Sequence, residues 1–288
     1  MADSIVKVVG IGGCGFNIVN NIADKGIKNV EYVAIDTQKD IEVIKGLFSR
    51  DQNCVAIIVA GMDGDTGTDI SPTVAEIAKK AGALVIAVIY KPLNFEKLDT
   101  LRNAQEGIEK LSTSADSFIV IPDSFIAQPN RKTSKQSFDL VNDIMYNGVL
   151  SILNIINQSN DINIDFEDMK SVLQNQGEAF FGIGYGEGDN RAVDAAKNVI
   201  SNPMIEHSNI EGASKILIKI ISDESLAMTE LEEIVSNIQA SASNNAEIFL
   251  GLSTNMEMKG KISVTVIATG FGNMTKTNGR CNYRALAR

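Results

Sequence analysis

The 288-residue chain is 44% hydrophobic and 22% charged, enough to bury one large core or two moderate ones and unlike the composition of a disordered protein. Its formal charge of -10 excludes general nucleic-acid binding, because counterion release from a polyanion needs a basic face. No apolar run approaches the roughly 20 residues that span a bilayer, and Met1-Ala2-Asp3-Ser4 lacks the basic start and apolar core of a signal peptide, so a cytoplasmic location is expected.

A β-branched strand from Ile5 to Val9 comes first, then Gly10-Ile11-Gly12-Gly13-Cys14-Gly15, then a helix with Ile18, Val19 and Ile22 on one face. A second strand, Tyr32 to Ile35, ends at Asp36. Gly10, Gly12 and Gly15, with an acid about 20 residues on, satisfy the dinucleotide-binding fingerprint of an NAD-type oxidoreductase. By itself that motif is weak, since a tight strand-to-helix turn without a ligand has the same glycines. One helix and a turn fit before Val55. Strands at Val55 to Val59, Leu84 to Ile89 and Phe118 to Ile121 then alternate with helices running through Lys80 and Leu111, the pattern of a parallel sheet covered on both faces. Its carboxyl ends bring together the loops at Gly12, Gly64 and Lys91-Pro92.

From Ser134 to about Ile156, Phe138, Val141, Ile144, Met145, Val149, Ile152 and Leu153 recur at three- and four-residue spacing, which predicts one long helix buried between two layers. Polar residues from Asn160 to Asp168 end it. A smaller α+β unit follows, with strands at Ala179 to Ile183, Ile216 to Ile221, Ile248 to Leu252 and Ile262 to Ala268, and helices from Arg191 and Thr229. Thr229-Glu230-Leu231-Glu232 has capping-box spacing. After Gly270 come Lys276, Arg280, Arg284 and Arg288 with no acid. This tail reads either as a solvated end or as a weak contact for an anionic membrane or an acidic partner. The expected division is 1–160, 161–270 and a basic tail, 271–288.

Cys14, Cys54 and Cys281 are too scattered for a disulfide framework or a zinc site. His207, the one histidine, has no partners for a Ser-His-Asp triad or a multi-histidine metal site and reads as structural.

The stretch from Val59 to Asp69 carries the chemistry. A strand-to-helix turn with Gly61, Gly64 and Gly67 folds backbone N–H groups into a concave nest at a positive helix end, a phosphate cradle, and Thr66 and Thr68 add hydroxyls. Asp63, Asp65 and Asp69 oppose a phosphate there. Either they point away, or a divalent cation bridges them to the phosphates, or triphosphate does not bind.

These loops, in this order, resemble FtsZ of the tubulin/FtsZ superfamily over nearly the whole chain. Gly10 to Asn17 looks like the family's first phosphate loop, Ala60 to Asp69 like its G-G-G-T-G-T-G signature, and Lys91-Pro92-Leu93-Asn94-Phe95-Glu96 like its sugar-and-phosphate loop. Asn163-x-Asp165-x-x-Asp168 is similar to the synergy loop. The resemblance implies GTP or GDP held by Gly12, Gly13, Cys14, Gly15, Asn17, Gly61, Gly64, Thr66, Gly67, Thr68, Pro92 and Glu96. It places Phe138 and Asn142 against guanine, while Mg2+ bridged through Asp63 and Asp65 stays one of the three alternatives for the acids. It implies a parallel-sheet GTPase-type domain, a central helix, an activation domain, and head-to-tail filaments in a cytoskeletal task such as cell division. In those filaments Asn163, Asp165 and Asp168 serve the neighbouring subunit's site. Read without the family, the same three residues are helix caps.

The chain departs from the family where Asp63, Asp65 and Asp69 replace glycines, Thr100 an arginine, Tyr90 a threonine and Asp123 an asparagine. The loop that senses the γ-phosphate is not expected, nor is a long terminal linker with a partner-binding peptide. A filament or regulatory paralogue that works without nucleotide therefore stands beside the polymerising GTPase.

Overall fold

The computed structural model describes residues 5–37, 41–48, 53–92, 96–121, 134–157, 161–201 and 210–271, with side chains of the long helix described from Val141 to Ile156. Leu93, Asn94, Phe95, Asp123, His207, Cys281, the 272–288 tail and the Phe138 side chain lie outside the described residues.

The first sheet has six strands, β1 (Ile5–Ile11), β2 (Val30–Ile35), β3 (Cys54–Gly61), β4 (Leu84–Tyr90), β5 (Ser117–Ile121) and β6 (Gly177–Glu178), in the order β2-β1-β3-β4-β5-β6. Every pairing is parallel. β3, β4 and β5 are buried at every position, which is why they read as unbroken apolar runs rather than alternating ones. Val55, Ile57 and Val59 pack with Ile18 and Ile22 of α1 (Gly12–Ala23) and with Met145 and Val149 of α5 (Ser134–Asn157). Ile58 and Ala60 face the other way, onto Ile70 and Val74 of α3 (Asp65–Lys80) and Ala104 and Leu111 of α4 (Leu98–Ser114). The helix and turn expected before Val55 appear as α2 (Ile41–Leu47).

The long helix is α5, and Met145, Val149, Ile152 and Leu153 on it are fully buried. The core it shares with the first sheet continues into a second sheet through Phe181, Ile218 and Val266. That sheet contains β7 (Phe180–Gly186), β8 (Lys215–Ser222), β9 (Glu247–Thr254) and β10 (Ile262–Thr269), ordered β7-β10-β8-β9. β10 is antiparallel to both neighbours and β8 is parallel to β9. α6 (Phe166–Leu173), α7 (Arg191–Ser201) and α8 (Met228–Ala240) complete it. α7 lies unusually close to β7, because Gly182, Gly184 and Gly186 present bare backbone to Val199, Ala195 and Arg191, where any Cβ would collide.

Two local features differ from the sequence expectation. The chain does not pass directly from α6 into the smaller sheet but first adds β6 to the larger one. Asp116 causes this detour: its buried carboxylate accepts from Val85 N at 2.9 Å and Asn175 N at 3.3 Å, and its carbonyl accepts from Gln176 N and Gly177 N. The helix expected from Thr229 begins at Met228 with Ala227 as its cap, and the Glu230 carboxylate accepts from Ala227 N at 2.9 Å. The same carboxylate takes both Arg191 Nε and Nη2, at 2.6 and 2.8 Å, and so is drawn back to the start of the helix. No helix among the described residues is long and apolar enough to cross a membrane.

Candidate functional site

Two strand-to-helix loops meet at the carboxyl ends of β1 and β3. In the first, Gly12 adopts φ +69° and turns the chain directly into α1, whose first turn holds no acidic side chain. Gly10 and Gly15 press backbone on backbone, and a Cβ on Gly15 would strike the Val59 carbonyl. Gly13 has nothing within 4 Å of its missing side chain and faces the opening. In the second, Gly64 caps α3, and a Cβ on Gly67 would strike the Gly61 carbonyl. Thr66 Cβ and Gly67 N lie 3.6 and 3.7 Å from the Cβ position of Gly12, so the starts of α1 and α3 abut. Two helix N-termini side by side at one edge have the geometry of an anion cradle.

The threonines divide their work. Thr66 is half-buried beside Gly12. Thr68 is buried, and its hydroxyl donates to the Gly64 carbonyl at 2.8 Å, which ties the second loop to its own helix. Ser71 donates to the Gly67 carbonyl in the same way. Asp63, Asp65 and Asp69 are exposed, and Asp63 folds back so that Oδ1 lies 2.6 Å from the Cβ position of Gly61. Burial, and then the Asp63 carboxylate, push the Cys14 thiol up to about 12. Cys14 therefore stays a protonated, unreactive thiol at neutral pH. Asp63 thus acts on the space between the two loops.

Cys14 also joins the first loop to the long helix: Sγ lies 3.8 Å from Asn142 Oδ1 and 3.6 Å from Met145 Sδ. Asn142 is thereby brought to the cradle, and Asn17 is exposed one turn into α1. Pro92 is buried and Glu96 half-buried on either side of the third loop. Lys91 N donates to the Ile121 carbonyl, and Met62 N to the Tyr90 carbonyl.

Asn163, Asp165 and Asp168 lie elsewhere. They follow α5, and the helix from Asn142 to its end covers about 22 Å at 1.5 Å per residue. Asp165 Oδ1 accepts from Asp168 N at 2.8 Å and Asp168 Oδ2 accepts from Asp165 N at 3.1 Å, a reciprocal capping box on α6. The helix-cap role open from sequence is therefore filled, and Asp165 remains exposed. Ile162 pairs with Leu252, which fastens the segment to the edge of β9. Beneath it lies a residue the sequence reading passed over, Lys219, 1% exposed, with Nζ 2.5 Å from Ser253 Oγ. A lysine inside the apolar run from Ile216 to Ile221 was the signal available.

A two-loop cradle on a parallel sheet, joined by a long helix to a second sheet, defines an α/β nucleotide-binding fold with a smaller second domain. Residues 42–129 match the family model described as Tubulin/FtsZ family, GTPase domain, and residues 177–272 that of FtsZ family, C-terminal domain. The FtsZ dimer, empty, from M. jannaschii superposes with TM-score 0.84 at 28% identity, over 93% of this chain and 89% of that one. Two structures share the fold at lower identity. A CetZ from Methanosaeta thermophila has TM-score 0.74 and 17% identity over 92% and 86% of the two chains. The GDP-bound monomer of CetZ1 from Haloferax volcanii has 0.75 and 14% over 93% and 95%. The chain is a member of the tubulin/FtsZ superfamily.

Proposed function

We propose that the chain binds GTP or GDP in the cradle and assembles head to tail, with the 161–168 segment of one subunit completing a hydrolytic site on the next. The observation that carries this reading is the abutment of the α1 and α3 N-termini beside Asn142, with the acids of the 161–168 segment at the opposite end of α5. Phosphoryl transfer depends chiefly on positioning and charge stabilisation. Backbone N–H groups of the two loops would hold phosphate, and Asp165 or Asp168 from a neighbour would orient a water against it. The relatives support the reading by their descriptions, one a dimer and one bound to GDP.

Among the described residues no group of three His, Cys, Asp or Glu side chains forms a metal site by itself. Asp63 and Asp65 supply one or two carboxylates, the share a protein gives to Mg2+ held jointly with phosphates. In the proposed site they bind weakly without the ion and adequately with it. The same reading divides the chain at 1–160, 161–270 and 271–288. The NAD-type oxidoreductase has no support beyond the first glycine loop.

A nucleotide-independent filament remains the second reading, favoured by the Asp63 carboxylate folded back at the cradle. Chromatography of nucleotide released by denaturing gently purified protein separates the two. Guanine nucleotide at near-equal stoichiometry supports the first reading, and its absence supports the second.

A further inference from the structure

We propose that Lys219 is a positioning residue whose ammonium holds the 161–168 segment in one placement against β9, and that loss of its proton releases that placement. Lys219 lies in the middle of β8 between Ile218 and Ile220, with almost no exposure, an environment that penalises a charge. Its Nζ donates to Ser253 Oγ. Ser253 sits between the two residues that fasten the segment. Leu252 accepts from Asp161 N and Ile162 N and donates to the Ile162 carbonyl. Thr254 donates its hydroxyl to Asp161 Oδ2 at 2.6 Å. The lysine thus braces the one residue of β9 that both fastenings flank.

Its stem has a second role. Gly251 stands opposite Lys219 in the β8–β9 register. A Cβ on Gly251 would lie 2.7 Å from Ile164 Cδ1 and 3.2 Å from Lys219 Cδ, so Ile164 seats in the glycine gap against the lysine stem. One side chain therefore supports the segment at Ile164 by packing and near Asp161 by charge.

Asp161 is the charged group of the segment that acts on Lys219. Gly251 and Thr265 stand in register with it on β9 and β10 and Ser253 accepts its hydrogen bond, while α6, which also packs on β8, carries Glu167, Asp168 and Lys170. Burial pushes the ammonium down to about 8, with Asp161 acting the other way. The proton is therefore exchangeable near pH 8.

The test is hydrogen exchange by mass spectrometry on the full chain from pH 6.5 to 9.5, corrected for intrinsic rates, with β10 peptides as internal reference. In the wild type, protection across residues 161–168 is expected to fall as pH rises through about 8 while that of β10 does not fall. Lys219→Met keeps the stem without the charge and should be weakly protected at every pH. Lys219→Arg keeps a proton throughout and should stay protected. Segment protection in the wild type that does not change with pH overturns the proposal, even if neither variant folds.

The proposal rests on the proposed function only where the segment's purpose is concerned. The same pH series on phosphate release should show turnover falling with the exchange transition. An exchange transition without GTP hydrolysis leaves the Lys219 brace standing and removes the trans-acting role. A flat exchange profile removes the brace whatever the hydrolysis shows.

Discussion

Replacing Asp63 by asparagine tests the electrostatics of the cradle. The substitution keeps the shape of the side chain and removes one negative charge from a position beside Gly61, between the two loops. A carboxylate about 4 Å from a phosphate oxygen costs about 4 kcal/mol at an effective dielectric near 20 and about 1 kcal/mol in water. Asp63 is exposed, so solvent and salt screen it and the lower part of that span applies. An effect of about 1 to 2 kcal/mol is expected, a 5- to 30-fold change in affinity. Without divalent cation, Asp63→Asn should bind GDP and GTP more tightly by that factor. With Mg2+ the advantage should shrink or reverse, because the carboxylate then faces a cation. Titration calorimetry in EDTA and in Mg2+, on wild type and variant, measures both arms. Equal affinities for the two proteins in both buffers would refute the placement of Asp63 against the phosphates. The triple change of Asp63, Asp65 and Asp69 to glycine should go further in the same direction.

Asp165→Asn with Asp168→Asn retains capping side chains, so filaments should still pellet while phosphate release falls and filaments last longer; a wild-type rate per subunit that does not rise with protein concentration would contradict the trans site. Arg191→Met leaves Glu230 without the guanidinium whose hydrogen bonds chiefly hold its carboxyl below the usual range, and losing those charged hydrogen bonds should cost about 1.5 to 3 kcal/mol in urea unfolding. Stability from the lowered Glu230 carboxyl is present above its unfolded value and lost as pH falls through its folded one, so the acid-side loss should be smaller in the variant. Lys219 has the opposite sign: between about 8 and the ordinary lysine value of 10.5 the unfolded chain binds more protons, and stability rises with pH. Lys219→Met should flatten that slope in denaturant titrations run across this pH range. The tail from Met274 to Arg288 should give weak, salt-sensitive cosedimentation with anionic vesicles, and equal pelleting of a truncated chain would remove that contact.

What the sequence determined by itself is whatever local pattern and burial both specify. β3, β4 and β5 were legible as parallel strands because burial on both faces leaves no polar alternation. The α5 helix was legible because its apolar stripe keeps helical spacing over many turns. The glycine loops were legible because φ > 0 at Gly12 and the close approach of Gly15 and Gly67 exclude a side chain. Tertiary structure decided the rest. β6 has two residues and no periodicity, and it exists because a carboxylate at Asp116 captures the backbone at Asn175, 59 residues away. α8 starts before Thr229 because Arg191, 39 residues back, holds Glu230. Asp63 carried its charge in the sequence but not its direction. Asp165 and Asp168 were readable as caps, since a capping box needs only neighbours. Lys219 was readable only as an anomaly in a strand, because the groups that explain an ammonium there, Ser253 and Asp161, meet it only when β8, β9 and the end of α5 come together.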